Sequence, residues 1–374
     1  TNRYQDKGLP VLVMADGPAG LRLNKDYGKD ENGVYALEGS LPPGFAEFMD
    51  EETAAGLGSM AKKEPERHGE ILHQYCSALP IGTALAQSWN LELCRACGDL
   101  VGDEMERFGV HLWLAPALNI HRSPLCGRNF EYFSEDPYLA GMVAQAEIRT
   151  LQSYGVITFP KHYIFNEQEI NRNGISVWLN EQSAREIYLR PWKYAVSPKR
   201  GNSHAVMTAF NRTGAKWASA DSALIDILRD EFGFDGFILT DMADSNGATY
   251  MTTLDGMLAG TDAWLSSGND HSFEQYRGNA TIENLMRESV HRIMYVTANY
   301  SAAMNGMSTT TKIIPLMAWW EGVLIAVLVV FGVLTAGSIA LLVISLLKGR
   351  RAASDKAGSD HINLERQLRE IARD

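Results

Sequence analysis

From Gly322 to Leu347 the chain runs for 26 residues without a charged side chain, and no other feature restricts its fold so sharply. About 20 apolar residues cross a bilayer as a helix. A stretch of this length with no polar face therefore predicts a membrane span rather than a buried core helix. The flanks agree: Trp319 and Trp320 precede it, and Lys348, Arg350 and Arg351 follow. Aromatic pairs favour the membrane interface and basic residues stay on the cytoplasmic side. That orientation puts the preceding chain outside and residues 348–374 in the cytoplasm. Residues 307–321 read as a linker and interfacial segment. In the charged tail, Ile362, Leu364, Leu368 and Ile371 form a weak apolar stripe, and a solvated tail is expected.

Residues 1–306 read as one domain, and from Gly8 to roughly Ser267 its rhythm is different. Short apolar runs that end in polar, Gly or Pro residues alternate with helical patterns such as Ser88 to Phe108 and Glu181 to Val196. Repeated βα units of this kind predict a parallel sheet. The candidate strands are Val11 to Met14, Ala78 to Gly82, His111 to Ala115, Val156 to Phe159, Ala205 to Ala209, Gly236 to Thr240 and Thr261 to Leu265. At 374 residues and 41.4 kDa there is room for a barrel-sized domain. No Gly-rich phosphate loop follows the first run, which argues against a doubly wound open sheet. The expected fold is α/β, a (β/α)8 TIM-like barrel with one strand degenerate or missing, followed by a single transmembrane helix.

A net charge of −11 and a pI near 5.4 disfavour nucleic acid as a partner and suit a neutral ligand. Cys76, Cys94, Cys97 and Cys126 form no paired cluster of the zinc type; they read as free thiols, and no metal site is expected. Residues 1–10 carry neither an initiator Met nor the pattern of a signal peptide, so the chain reads as cut from a longer one. Asn211, Asn279 and Asn299 open Asn-x-Ser/Thr sites, which matter only in a host that glycosylates exported proteins.

In a parallel barrel the chemistry sits at the C-terminal strand ends. The polar residues closing the runs are Asp16, Lys161, His162 and Asp241, with Arg22, Arg128 and Arg172 in the loops beyond. Several donors to hold hydroxyls and one carboxylate on a rigid strand suit retaining sugar hydrolysis, which needs a nucleophilic carboxylate and a second carboxyl about 5 Å away. Asp241 can equally cap the next helix, and spacing alone does not separate the two readings. Lys161 and His162 are adjacent, so in a continuing strand they point apart.

These residues lie in longer strings: DGPAGLR (Asp16 to Arg22), GRNFEYFSEDPYLAG (Gly127 to Gly141), KHYIFNEQEINR (Lys161 to Arg172), MTAFNRTG (Met207 to Gly214) and GFDGFILTD (Gly233 to Asp241). The helical string RIMYVTANYSAAMNG (Arg292 to Gly306) follows. Together they resemble glycoside hydrolase family 3, in family order, across most of residues 8–306. The resemblance implies a β-glucosidase-like enzyme without cofactor, with Asp241 as nucleophile. It implies that Asp16, Arg22, Arg128, Lys161, His162 and Arg172 hold the innermost sugar and that Met207 lines the pocket. Glu131, Glu135 and Asp136 are expected to brace loops.

Two positions depart from the family pattern. Met242 stands where a Trp usually follows the nucleophile, and Phe210 where a Tyr is common, which changes a pocket wall and removes one hydroxyl near the nucleophile. The loop Tyr163 to Arg172 holds no further His, which disfavours the N-acetylglucosaminidase branch. No Glu for the acid/base role follows residue 306 in a sandwich domain. The resemblance thus implies a member with reversed domain order, whose α/β-sandwich preceded Thr1 and supplied the acid/base. The expected partners are a β-glucoside or oligosaccharide, that sandwich domain, and a lipid bilayer. The alternatives are a membrane-anchored sugar-binding or scaffolding barrel without turnover, and a β-xylosidase or arabinosidase.

Overall fold

The computed structural model describes residues 10–31, 33–37, 68–173, 175–243, 252–266, 273–304 and 319–371. The chain divides into two units, Thr1–Thr311 and Lys312–Asp374.

The first unit is α/β. Strand β1 (Met14–Asp16) leads into a small antiparallel sheet of β2 (Asp26–Asp30), β3 (Gly33–Ala36) and β4 (Glu70–His73). There follow β5 (Leu112–Leu114), β6 (Ile157–Thr158), β7 (Ser176–Val177), β8 (Ala205–Met207), β9 (Arg212–Thr213), β10 (Lys216–Trp217), β11 (Phe237–Met242) and β12 (Ala263–Leu265). Strands β7, β9 and β10 make a second small sheet. The other six run parallel in chain order: β1 pairs with β5, β5 with β6, β8 with β11, and β11 with β12. Beyond the end of β6 the ladder reaches β8, with Met207 N–H donating to the Pro160 carbonyl at 3.0 Å and Tyr163 N–H to the Met207 carbonyl at 2.7 Å. Helices Leu91–Phe108, Pro137–Gln152, Arg190–Val196, Ser222–Asp226 and Thr253–Ala259 lie between successive strands, and Ala280–Tyr300 follows the last.

Side chains alternate across a strand, and both faces of this sheet are apolar. Leu112, Leu114, Ile157, Phe159, Ala205, Met207, Phe237 and Leu239 share one core, against which Leu12 and Met14 from the start and Ala263 and Leu265 from the end also pack. First and last strands meeting in one core means that the sheet curves around it. The intervening residues face the helices: Val206 and Ile238 pack with Trp192 and Leu228, while Ala15 and Trp113 pack with Val101, Met105 and Leu151.

Six of the seven expected runs contribute a strand. The exception is Ala78 to Gly82, where Leu79 makes a backbone bond to Ala19, Pro80 has no N–H to give, and Gly82 already begins the helix Gly82–Gln87. The helix expected from Ser88 starts at Leu91, because the Asn90 side chain accepts from Glu92 N–H at 2.9 Å and Leu93 N–H at 3.2 Å. Cys94 and Cys97 lie buried on that helix, and all four cysteines are unbridged.

Glu147, on the helix Pro137–Gln152, is 4% exposed. Burial pushes its carboxyl up to about 8, against 4.5 for an ordinary glutamate. The unfolded chain releases this proton near pH 4.5 and the folded chain keeps it to about 8, so across that window unfolding releases a proton and stability falls as pH rises. Glu147→Gln keeps the shape and removes the penalty. It is expected to raise stability at pH 7.5 by about 1–3 kcal/mol and to change little at pH 4.5, as read from denaturant melts at the two pH values.

Among its described residues the second unit is one helix, Trp319–Ile371, of 53 residues. It is long and apolar enough to cross a membrane by length and composition. At 1.5 Å per residue it extends about 80 Å, well beyond the ~30 Å hydrocarbon layer. The charged segment expected to be a solvated tail continues this helix to Ile371. The linker residues 307–318 lie outside the described residues.

Candidate active site

The C-terminal ends of β1, β6 and β11 bring Asp16, Lys161, His162 and Asp241 to one end of the sheet. Asp16 closes β1 and is fixed by a tight turn: Gly17 N–H donates to its Oδ1 at 2.8 Å, and Arg22 N–H to its backbone carbonyl at 2.8 Å. Gly17 has φ +136°, and a Cβ there would stand 1.8 Å from the Gly20 carbonyl oxygen, so the turn in DGPAG requires glycine. Lys161 Nζ donates to Asp16 Oδ1, and Arg22 Nη2 to Oδ2 at 2.5 Å. Lys161 is buried, whereas Arg22 is largely exposed.

Although adjacent, Lys161 and His162 serve the same site, because the regular ladder of β6 stops at Thr158 and isolated bridges, Lys161 to Ala117 and Tyr163 to Thr208, continue it. Lys161 reaches Asp16, while His162 Nε2 lies 3.5 Å from Asp241 Oδ2. Asp241 is the penultimate residue of β11, its side chain 13% exposed, and its Oδ1 accepts from Met242 N–H at 2.8 Å. It does not cap the next described helix: Thr253–Ala259 is capped by Thr252.

Two further arginines and their braces lie around this centre. Arg128 donates to Glu131, with both side chains largely buried. Arg172 binds Glu169 at 2.7 Å, and its guanidinium lies 4.2 Å from the Phe210 ring centre. Asp136 caps the helix Pro137–Gln152 by accepting from Tyr138 N–H at 2.8 Å. Phe210 packs with Ala243, Met242, Trp217 and Trp264, and Met207 belongs to the core beneath the site.

Burial and charge set the protonation of this end. Burial raises Asp16, but Lys161 and Arg22 overcome it and leave the carboxyl below the ordinary range. Burial raises Asp241, with Arg172 and Arg128 opposing. His162 is held well below the usual imidazole range by burial, then by Arg128, Lys161 and Arg172. Such a cluster of donors around a buried carboxylate can bind a polyhydroxylated ligand and attack an electrophilic carbon.

Two residues absent from the sequence-derived set complete the site. Asn119, 1% exposed, donates Nδ2–H to the His162 carbonyl at 3.1 Å and to Glu167 Oε1 at 3.2 Å, and its Oδ1 accepts from His162 N–H at 2.9 Å. Glu167, 3% exposed, is raised to about 7 by burial. Asn119 is itself a polar residue closing an apolar run, and Glu167 lies within KHYIFNEQEINR, so the same criteria reach both.

Parallel strands packed on one core, with a carboxylate and its donors at their C-terminal ends, define the candidate site of an α/β protein. The chain belongs to glycosyl hydrolase family 3, whose N-terminal domain model matches residues 49–294, more than half of the chain. It is 41% identical over 186 residues to a probable beta-glucosidase H of Emericella nidulans, covering 50% of this chain and 22% of that protein. Beta-glucosidase A of Butyrivibrio fibrisolvens is 43% identical over 166 residues, 44% of this chain and 20% of that protein. The structure of beta-glucosidase 3B from Thermotoga neapolitana in complex with glucose superposes with a TM-score of 0.65 at 32% identity, over 82% of this chain and 38% of that one. The chain thus spans about a fifth of these curated relatives' length.

Proposed function

We propose that this chain carries the nucleophile of a retaining β-glucosidase acting on non-reducing terminal β-D-glucosyl residues. The observation that carries this reading is Asp241, held at the end of β11 in a family 3 chain, 3.5 Å from His162 and facing the cations Arg128, Arg172 and Lys161. The Asp241 carboxylate attacks the anomeric carbon and the bond to the leaving oxygen breaks as an acid donates its proton. Water, giving its proton back to the same group, then releases the sugar and restores Asp241. Asp16, Lys161, His162, Arg22, Arg128 and Arg172 hold the sugar hydroxyls, with Met207, Phe210 and Met242 forming apolar walls. The acid/base is supplied by a further domain, in keeping with the greater length of the relatives. The curved parallel sheet is read as part of a (β/α)8 barrel, and residues 322–347 as a single membrane span with the barrel outside, supported by Lys348, Arg350 and Arg351 beyond it.

The test is mass spectrometry after incubation with 2,4-dinitrophenyl 2-deoxy-2-fluoro-β-D-glucoside, whose good leaving group needs little acid help. The expected result is a single sugar adduct on Asp241. Glucose binding without any adduct would leave a sugar-binding chain without turnover and overturn the proposal.

A further inference from the structure

The parallel ladder between the extensions of β5 and β6 ends with Leu118 N–H donating to the Lys161 carbonyl at 2.7 Å. At the next position a side chain replaces the backbone rung. The Asn119 amide, like a peptide group, accepts from His162 N–H at 2.9 Å and donates to the His162 carbonyl at 3.1 Å. Its orientation is fixed, because a flipped amide would turn its NH2 toward the His162 N–H and its oxygen toward the Glu167 carboxyl. Glu167 Oε1 also accepts from Ile120 N–H at 3.4 Å, so the clamp is tied to the same strand extension.

The amide oxygen also lies 3.4 Å from His162 Nδ1, and as an acceptor it favours a proton there. A neutral ring protonated on Nδ1 turns the Nε2 lone pair toward Asp241 Oδ2 at 3.5 Å, and two acceptors at that separation repel unless a proton lies between them. The groups facing the ring are Asp241 from β11, Arg128 and the roughly perpendicular Tyr132 ring from the loop after β5, Lys161 beside it and Arg172 beyond β6, with Glu167 one amide away.

We propose that Asn119 is a positioning residue that fixes His162 in the orientation in which His162 and Asp241 share one proton, and so sets the pH at which Asp241 is released to act as nucleophile. This rests on the reading of Asp241 as nucleophile. The Asn119 oxygen stabilises the state with the proton on the ring, since both ring N–H groups then have acceptors. Loss of the shared proton leaves a neutral ring and an ionised Asp241, so the acid limb of the reaction reports that loss.

Two variants move the limb in opposite directions. Asn119→Leu removes the acceptor, and the limb shifts to lower pH. Asn119→Asp places a carboxylate of the same shape beside the ring, and the limb shifts to higher pH by about 1–3 units. The full chain in detergent is followed by the rate of adduct formation with the fluorinated glucoside from pH 4 to 9. In parallel, multiple-bond proton–nitrogen spectra of histidine-labelled protein report the ring, with His162 assigned through His162→Gln. Opposite shifts of the limb, matched by the ring's own titration, support the proposal. Equal midpoints in all three proteins, shifts in one direction, or a ring protonated on Nε2 throughout would overturn it. Should the wild-type chain form no adduct, the glycosidase reading fails while the ring titration still decides this inference. Should Asn119→Leu fail to fold, the same-shaped Asn119→Asp carries the test.

Discussion

Asp241→Asn is expected to form no covalent adduct with the fluorinated glucoside, and turnover of activated aryl glucosides is expected to fall roughly 10^4-fold or more. The amide keeps the contact to Met242 N–H and nearly the same volume, but it cannot attack the anomeric carbon. The loss therefore falls on the chemical step, with glucose affinity changed far less than the rate. Intact-mass spectrometry and a dinitrophenyl glucoside assay read both quantities on the same sample. An adduct that persisted in Asp241→Asn would place the nucleophile on another carboxylate.

Asp262→Ala carries the largest expected cost in stability. The Asp262 side chain is 0% exposed. Its Oδ2 accepts from Arg229 at 2.8 Å and from Ile238 N–H at 2.8 Å, and its Oδ1 from Arg292 at 2.8 Å. One carboxylate thus joins the start of β11, the turn of helix carrying Arg229, and the helix Ala280–Tyr300. Its removal leaves two largely buried guanidinium groups facing each other, a change that costs about 3–5 kcal/mol. The melting temperature of the unit is expected to fall by about 10 °C. Because Asp262 braces the end of β11 opposite Asp241, the folded variant is expected to form the adduct as the unaltered chain does. A loss below about 1 kcal/mol in denaturant melts would mean that the two arginines find other partners.

Much of this was legible from residue order. A parallel strand buried on both faces reads as a short apolar run, so Asp16, Lys161, His162 and Asp241, the polar residues that close such runs and that the structure brings together, can be picked out by inspection. Arg128 and Arg172 required the longer strings, because an arginine in a loop carries no local signal. Met207 came by the same route, and its side chain packs in the core shared by the strands.

What the sequence by itself determined is whatever depends on neighbours within a few residues: the βα alternation, the helix starts that follow Asn90 and Asp136, the glycine turn beside Asp16, and an uncharged stretch long enough to span a bilayer. Tertiary structure alone decided what depends on partners distant in the chain. Lys161 finds Asp16 across 145 positions, and Asn119 stands in for a ladder rung 43 positions from His162. Asp262 gathers two arginines, and the run from Ala78 to Gly82 stays out of the sheet. Local pattern records whether a side chain prefers burial, but the partner that makes a buried charge or amide tolerable is chosen only when the strands are brought side by side.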